Sequence, residues 1–128
     1  MRTLLVADDN RVSRELARDI LEGAGYRVEE AANGEEALTR IRDARPDLVL
    51  LDVAMPLKDG YAVLAEVRND PSFAGLPVMA VTANGMQPDR ERMRAAGFDS
   101  YLIKPISIAE LRQRVRELLE VSGKGEGQ

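Results

Sequence analysis

The sequence contains no cysteine and no histidine. These absences exclude thiol chemistry, imidazole general bases and nearly all zinc sites. A metal site in this chain would therefore use oxygen ligands, which favours magnesium, calcium or manganese. The sequence also shows no signal peptide and no apolar run of membrane-spanning length, and we expect a cytoplasmic protein that does not insert into a membrane.

Positive charge is scarcer than negative charge. The chain has 18 Lys and Arg against 22 Asp and Glu, a formal net charge of −4. No basic stripe is present, so we do not expect direct binding to DNA or RNA. A length of 128 residues is typical of one domain with one core. We assign this domain to residues 1–121, and the Gly-rich polar segment 122–128 to a flexible tail or truncated linker.

Five short apolar segments alternate with segments of helical periodicity. The most apolar of them, residues 48–51, leads directly into Asp52 and is typical of a strand covered on both faces. This alternation predicts an α/β fold with a parallel, doubly wound sheet and five helices, of the flavodoxin-like kind. The strand order that fits five strands is 2-1-3-4-5. The predicted strands are 3–7, 27–31, the central strand ending at Asp52, 78–82 and 100–103.

Apolar residues at helical spacing predict the buried face of each helix. Asn10 and Ser107, the latter with Glu110, predict the starts of the first and last helices. The predicted inward stripe of the first helix is Val12, Leu16, Ala17, Ile20 and Leu21. The predicted stripe of the last helix is Ile108, Leu111, Val115, Leu118 and Leu119.

Polar residues follow four of the five predicted strands at the edge where ligands bind in such sheets. Taken singly, each has a plain structural explanation: an aspartate can cap a helix, a threonine can end a strand, and a lysine can lie in a solvated loop. Together they indicate a site, because strands one and three are neighbours in this order. The residues are Asp8 and Asp9 after the first strand, Asp52 at the end of the third, Thr82 after the fourth and Lys104 after the fifth.

The charges of this set predict its chemistry. The three carboxylates carry a formal charge of −3 and Lys104 carries +1, so a divalent cation would bring the net charge of the set to zero. Magnesium suits a few carboxylates completed by water and phosphate oxygens. Asp52 is the best nucleophile, since a carboxylate can form an aspartyl phosphate. Lys104 and Thr82 would stabilise the oxygens of the transferred group.

These motifs resemble the receiver domain of two-component response regulators over about residues 3–121. The matching features are the acidic pair Asp8-Asp9, the segment 52–56 with Asp59-Gly60, the pair Thr82-Ala83, and Lys104-Pro105 shortly after Tyr101. A member of that family is among the standard examples of a doubly wound sheet with the strand order 2-1-3-4-5.

The resemblance implies a role for each matched residue. Asp52 would accept a phosphoryl group from a histidine kinase or a phosphotransfer protein. Asp9 and Asp52 would bind Mg²⁺ directly, with Mn²⁺ as an alternative ion, Asp8 largely through water, and Ala54 through its backbone carbonyl. Thr82 would then move toward the phosphoryl group and Tyr101 would turn inward, which changes the protein-binding face.

The resemblance also implies a signalling protein without turnover of an external substrate, whose output is contact with a downstream protein. We expect a monomer or a phosphorylation-dependent dimer. Ala54 and Asn84 stand at positions that tune phosphate lifetime in the family, and the lifetime stays open. The alternatives are a degenerate receiver that acts only by protein contact, a haloacid dehalogenase-type phosphatase, which needs an acid where Ala54 stands, and a nucleotide- or flavin-binding module, for which no glycine-rich motif is present.

Overall fold

The structure, a computed structural model, describes residues 1–83 and 85–127. Five parallel strands form one sheet in the order β2-β1-β3-β4-β5. The strands are β1 Thr3–Ala7, β2 Arg27–Ala31, β3 Leu48–Asp52, β4 Val78–Thr82 and β5 Ser100–Ile103. The helices are α1 Arg11–Gly23, α2 Gly34–Ala44, α3 Gly60–Asn69, α4 Gln87–Ala96 and α5 Ile108–Gly127, with a 3₁₀ turn at Pro71–Phe73. The predicted fold class and strand order are confirmed.

The core lies on both faces of the sheet. Every residue of β3 and β4 is buried, as expected for central strands of a parallel sheet. Side chains alternate between the faces: Leu48 and Leu50 pack with α1 and α5, and Val49 and Leu51 pack with α2, α3 and α4. Two helix layers therefore hold the central strands in place, so the carboxyl ends of those strands are fixed relative to one another.

The predicted inward stripe of α1 is wrong at two positions. Only Ala17, Ile20 and Leu21 of that stripe are buried, whereas Val12 is 77% and Leu16 45% exposed. At 3.6 residues per turn, Val12 lies roughly 130° around the helix from the centre of the buried face, and Leu16 roughly 90°. The predicted stripe is therefore too wide for one face of a helix.

Ile108 of α5 also differs from the prediction, since it is 54% exposed. It is the first residue of the helix and lies at the exposed end of the row of buried residues Leu111, Val115 and Leu119. Helix α5 runs to Gly127, and the predicted domain boundary at residue 121 stays a prediction. The flexibility expected of 122–128 stays a prediction, and residue 128 lies outside the described part of the chain. Among the described residues, no helix is long and apolar enough to span a membrane.

Arg68 ties three segments together at the end of the sheet opposite the site. Its guanidinium donates to the carbonyls of Leu76 at 2.7 Å and Gly97 at 3.0 Å, and to Asp99 at 2.9 Å. We expect Arg68→Met to lower the free energy of unfolding by about 2 kcal/mol, because partly buried acceptors lose a charged donor. Urea unfolding followed by circular dichroism measures this. Arg18→Met, which removes contacts to carboxylates only, should cause a much smaller change, and equal losses in both variants would contradict the prediction.

Candidate functional site

The sheet brings the two buried aspartates side by side. Asp52 is the last residue of β3, and Asp8 follows the last residue of β1. Ala7 and Leu51 are partners in the parallel pairing of these strands, so the residues that follow them leave the sheet at the same edge. The backbone N–H of Asp8 donates to the carbonyl of Ala31 at 3.0 Å, which holds this end of β1 in place.

Three carboxylates converge at this edge. One oxygen from each of Asp8, Asp9 and Asp52 lies within 4.8 Å of the others. Asp8 and Asp52 are 4% and 5% exposed, whereas Asp9 faces solvent. Lys104 bridges the two buried carboxylates, with Nζ at 2.9 Å from Asp52 Oδ2 and 3.0 Å from Asp8 Oδ2. Among these four side chains the formal charge is −2, so the cluster has the charge to attract a divalent cation.

A backbone contact and a side-chain contact fix the direction of the Asp52 side chain. Its Oδ1 accepts a hydrogen bond from the Ala54 N–H at 2.9 Å, while Oδ2 accepts from Lys104. Helix α3 begins so close behind β3 that a Cβ on Gly60 would lie 2.6 Å from the Asp52 carbonyl oxygen and 2.7 Å from Val53 Cα. Glycine is therefore required at position 60, because any side chain would push the helix away from the strand end.

Burial and the neighbouring charges shift two pKa values at the site. Burial raises the pKa of the Asp52 carboxyl, the negative charge of Asp8 adds to this, and the bonds from the Ala54 N–H and Lys104 only partly oppose it. Burial acts to lower the pKa of the Lys104 ammonium, but the hydrogen bonds to Asp52 and Asp8 outweigh it, so the pKa of Lys104 is raised. The ammonium is therefore firmly charged, whereas the ionised Asp52 carboxylate is disfavoured by its surroundings.

A pH-dependent gain in stability follows for Asp52→Asn. The pKa of Asp52 is raised in the folded protein, so the fold favours the protonated carboxyl over the ionised one. The stability that Asp52 contributes is therefore fully present below its unfolded pKa of about 3.9, and it is lost as the pH rises through the pKa of the folded state. Asparagine keeps the acceptor for Ala54 without the charge. In EDTA at neutral pH we expect Asp52→Asn to be more stable than the wild type, and the difference to vanish in acid.

Urea unfolding at several pH values measures this difference. The control is Asp43→Asn, an exposed aspartate of α2, which should match the wild type at every pH. A less stable Asp52→Asn variant at neutral pH would contradict the inferred cost of the buried charge.

The donor set fits Mg²⁺. The cluster supplies three carboxylate oxygens, which this hard ion prefers, and this number leaves room for water and a phosphate to complete an octahedron. Two of the three carboxylates are buried next to each other, an arrangement that a cation would relieve. The chain offers no histidine or cysteine that would favour a softer metal.

The carboxylates open into a cleft of about 890 Å³. The predicted residues Asp9, Asp52, Ala54, Thr82 and Lys104 line it, whereas Asp8 belongs to the carboxylate cluster without lining the cleft. Thr82 is buried, and its carbonyl accepts from the Lys104 N–H at 2.8 Å, which links the ends of β4 and β5.

Tyr101 is half-buried and lies outside this cleft, and Asn84 lies outside the described residues.

One side of the cleft is not predicted by the sequence. Arg92 of α4 places its guanidinium 3.9 Å from the centre of the Tyr61 ring, and both residues line the cleft with Asp59 and Asp89. Helical spacing predicts Tyr61 only as an inward-facing residue of α3. The contact between two residues 31 positions apart depends on how α3 and α4 pack, and neither residue carries a sequence signal for it.

The protein has a doubly wound five-stranded sheet, and its acidic cluster lies between the first and third strands. It therefore belongs to the class of α/β proteins that bind ligands where the strand order reverses. Residues 4–116 match the model of the response regulator receiver domain. The chain belongs to this family, whose members act in two-component signalling.

Similar proteins agree with this assignment. The polar-differentiation response regulator DivK of Brucella anthropi is 36% identical over 118 residues, which cover 92% of this chain and 96% of the relative. The chemotaxis protein CheY4 of Vibrio cholerae is 30% identical, with a TM-score of 0.87 over 92% of this chain and 98% of that one. The receiver domain of a sensor histidine kinase from Pseudomonas aeruginosa PAO1 is 34% identical, with a TM-score of 0.86 over 93% and 98% of the two chains. That structure has a magnesium ion coordinated in its active-site cleft.

Proposed function

We propose that this chain is a phospho-acceptor switch. Asp52 accepts a phosphoryl group from a histidine kinase or a phosphotransfer protein in a Mg²⁺-dependent reaction, and the phosphorylated domain presents a changed surface to a downstream protein. The chain promotes its own phosphorylation and dephosphorylation rather than turning over an external substrate. The observation that carries the proposal is the convergence of Asp8, Asp9 and Asp52, with Lys104 bonded to the proposed acceptor.

The geometry suits transfer to Asp52 in particular. Asp8 is bridged to Lys104 and also accepts from the Asn10 N–H at 2.9 Å, and it does not line the cleft, whereas Asp52 does. An oxygen of ionised Asp52 would attack the phosphorus, and the P–N bond to the donor histidine would break with its electron pair left on the imidazole. An ionised carboxylate needs no general base for this step. Lys104, already hydrogen-bonded to Asp52, would stabilise the negative charge that develops on the transferred oxygens.

The metal site rests on the same residues. Asp9 and Asp52 would hold Mg²⁺ directly, Asp8 largely through water, and Ala54 through its backbone carbonyl, with Mn²⁺ as a substitute. The ion would supply positive charge at the oxygens of the transferred group. Asp9 is the exposed member of the cluster, so it can ligate a cation without reorganising the core.

The conformational change on phosphorylation would extend from the cleft to the neighbouring face. A phosphoryl group adds about −1.5 to −2 charge and three acceptor oxygens. The Thr82 hydroxyl, at the end of β4 in the cleft, would donate to one of these oxygens. Tyr101 lies on β5, which pairs with β4 at Ala80, and it is only half-buried, so it has room to repack. The face formed by α4, β5 and α5 would change as a result.

The test of the proposal is phosphorylation by acetyl phosphate and Mg²⁺, followed by intact mass measurement. The wild type should gain one phosphoryl group, and Asp52→Asn should gain none. Asp47→Asn is the matched control, because this exposed aspartate precedes the opposite end of β3 and should leave phosphorylation intact. A phosphorylated Asp52→Asn protein, or a wild type inert toward several small phosphodonors, would overturn the proposal.

Exposed apolar residues next to the cleft fit a protein phosphodonor. Val12 and Leu16 are one turn apart on α1, which begins directly after the cleft-lining residue Asn10. Because each buried apolar side chain contributes about 1.5–3 kcal/mol, we expect Val12→Asp/Leu16→Asp to slow transfer from a phosphorylated phosphotransfer protein by roughly tenfold or more. Phosphorylation by acetyl phosphate, which needs no docking surface, should be unchanged. Equal slowing with both donors would instead indicate damage to the site.

A further inference from the structure

A second, smaller pocket lies outside the phosphorylation site, between α4 and α5 over β5. It has a volume of about 210 Å³. Its polar lining is unusually basic for a chain of net charge −4: three arginines, Arg90, Arg94 and Arg114, contribute, with Ser100 and Tyr101 between them. Met93 and Phe98 supply buried apolar surface. We refer to this site as the arginine pocket.

The acidic residues nearest these arginines already have hydrogen-bond or ion-pair partners. Asp99, the acidic residue in the lining, accepts from Arg68 at 2.9 Å and from the Val78 N–H at 2.8 Å. Glu110 pairs with Arg114 at 3.3 Å on the solvent-exposed side of α5. Among the side chains that the structure describes, which exclude those of residues 84, 87, 88 and 121–128, neither Arg90 nor Arg94 forms an ion pair.

Arg90 also carries a polar atom without a partner. Its Nε is buried and makes no hydrogen bond within the described part of the chain. A buried charged donor left unpaired is unfavourable, and such groups in folded proteins usually have a partner. In addition, Arg90 and Arg94 are four residues apart on α4, a spacing at which like charges repel. An anion between α4 and α5 would relieve this repulsion between Arg90 and Arg94.

The size and walls of the arginine pocket select the kind of anion. A volume of about 210 Å³ is below the roughly 300 Å³ at which small-molecule sites begin, so a nucleotide would not be enclosed. A glutamate or aspartate side chain is small enough, and its methylene groups would pack on Met93 and Phe98 while guanidinium groups bind the carboxylate in a fork. Arg114 is held for this role by its bond to Ser100 Oγ at 3.1 Å and by its position 5.8 Å from the centre of the Tyr101 ring.

We propose that the arginine pocket binds a carboxylate side chain from an acidic segment of a partner protein. The pocket contains Tyr101 and lies on the face that the proposed function assigns to output, so its link to phosphorylation rests on that proposal. The binding itself does not, since every contact that forms the pocket is present in the unphosphorylated protein. The net negative charge of the chain repels an acidic segment from most of its surface, so the arginines of this pocket would supply the attraction and confine binding to it.

The experiment uses fluorescence anisotropy with a labelled peptide of alternating glutamate and leucine, at low salt, on the full chain carrying Asp52→Asn. That background cannot be phosphorylated at Asp52, so the pocket is tested apart from the proposed function. We expect this protein to bind the glutamate peptide and not the same peptide with glutamine in place of glutamate. Adding Arg90→Gln/Arg94→Gln should weaken binding by roughly tenfold or more.

The matched control is Arg40→Gln/Arg42→Gln, which removes the same charge from the exposed face of α2 and should change affinity less than about twofold. Equal weakening in both double variants would show non-specific attraction and overturn the proposal. So would equal binding of the glutamate and glutamine peptides. Displacement of the glutamate peptide by equimolar ATP or inorganic phosphate would assign the site to a phosphate ligand instead.

Discussion

Replacing Lys104 by methionine is expected to lower the free energy of unfolding by about 3 kcal/mol at neutral pH in EDTA. Lys104 Nζ contacts both buried carboxylates, at 2.9 Å from Asp52 and 3.0 Å from Asp8. Methionine keeps the length of the side chain and removes the charge. Two buried carboxylates would then face each other without a cation, which is the situation in which breaking a buried ion pair is most unfavourable.

Two conditions should restore much of the lost stability. Saturating Mg²⁺ would replace the missing positive charge, and Asp52→Asn in the same chain would remove one of the two repelling carboxylates. Urea unfolding of the two single variants and the double variant forms a double-mutant cycle, in which we expect a strong coupling between positions 52 and 104.

Lys58→Met is the matched control for this cycle. Lys58 also contacts two carboxylates, Glu35 and Glu66, but both are substantially exposed, so its loss should matter far less. A Lys104→Met protein as stable as the wild type in EDTA, or equal losses at positions 58 and 104, would contradict the role assigned to the buried charge cluster.

Mg²⁺ is expected to stabilise the wild type by about 2.7 kcal/mol when its concentration is roughly one hundred times the dissociation constant. Mg²⁺ stabilises the fold because it binds the folded protein and not the unfolded chain. Only the folded protein brings three carboxylate oxygens within 4.8 Å of one another. Asp9→Asn should abolish most of this gain. Since Asp9 is exposed, the same substitution should leave stability in EDTA nearly unchanged.

Thermal unfolding across a Mg²⁺ titration, followed by circular dichroism, measures both quantities. Asp89→Asn is the control, because Asp89 lines the same cleft but does not belong to the carboxylate cluster. It should retain the full stabilisation by Mg²⁺. A wild type that gains nothing from Mg²⁺, or an Asp9→Asn protein that gains as much as the wild type, would argue against the metal site.

The sheet and the location of the site could be predicted because they depend on local patterns. Apolar runs such as residues 48–51 identify strands, the alternation with helices makes the sheet parallel, and parallel strands bring their carboxyl ends to one edge. From there, Asp8 and Asp52 become neighbours as soon as the order 2-1-3-4-5 is chosen. The structure confirms that order and places the two carboxylates together.

What could not be predicted depends on how helices pack against each other. The sequence contains Val12 and Leu16 at a helical spacing, but it does not show that α1 buries a narrow face centred on Ala17, Ile20 and Leu21. The contact of Arg92 with Tyr61 depends on the packing of α4 against α3. The arginine pocket likewise joins residues of α4, β5 and α5 that are up to 24 positions apart.

The most direct test of the central claim is to locate the phosphoryl group. The protein is phosphorylated with acetyl phosphate, with and without Mg²⁺, and then reduced with borohydride, which converts an aspartyl phosphate to homoserine before proteolysis and peptide mass mapping. We predict homoserine at position 52 alone, formed when Mg²⁺ is present and lost when EDTA replaces it. Homoserine at Asp8 or Asp9, or the same yield at Asp52 without a divalent cation, would contradict the assignment of Asp52 as a metal-dependent acceptor.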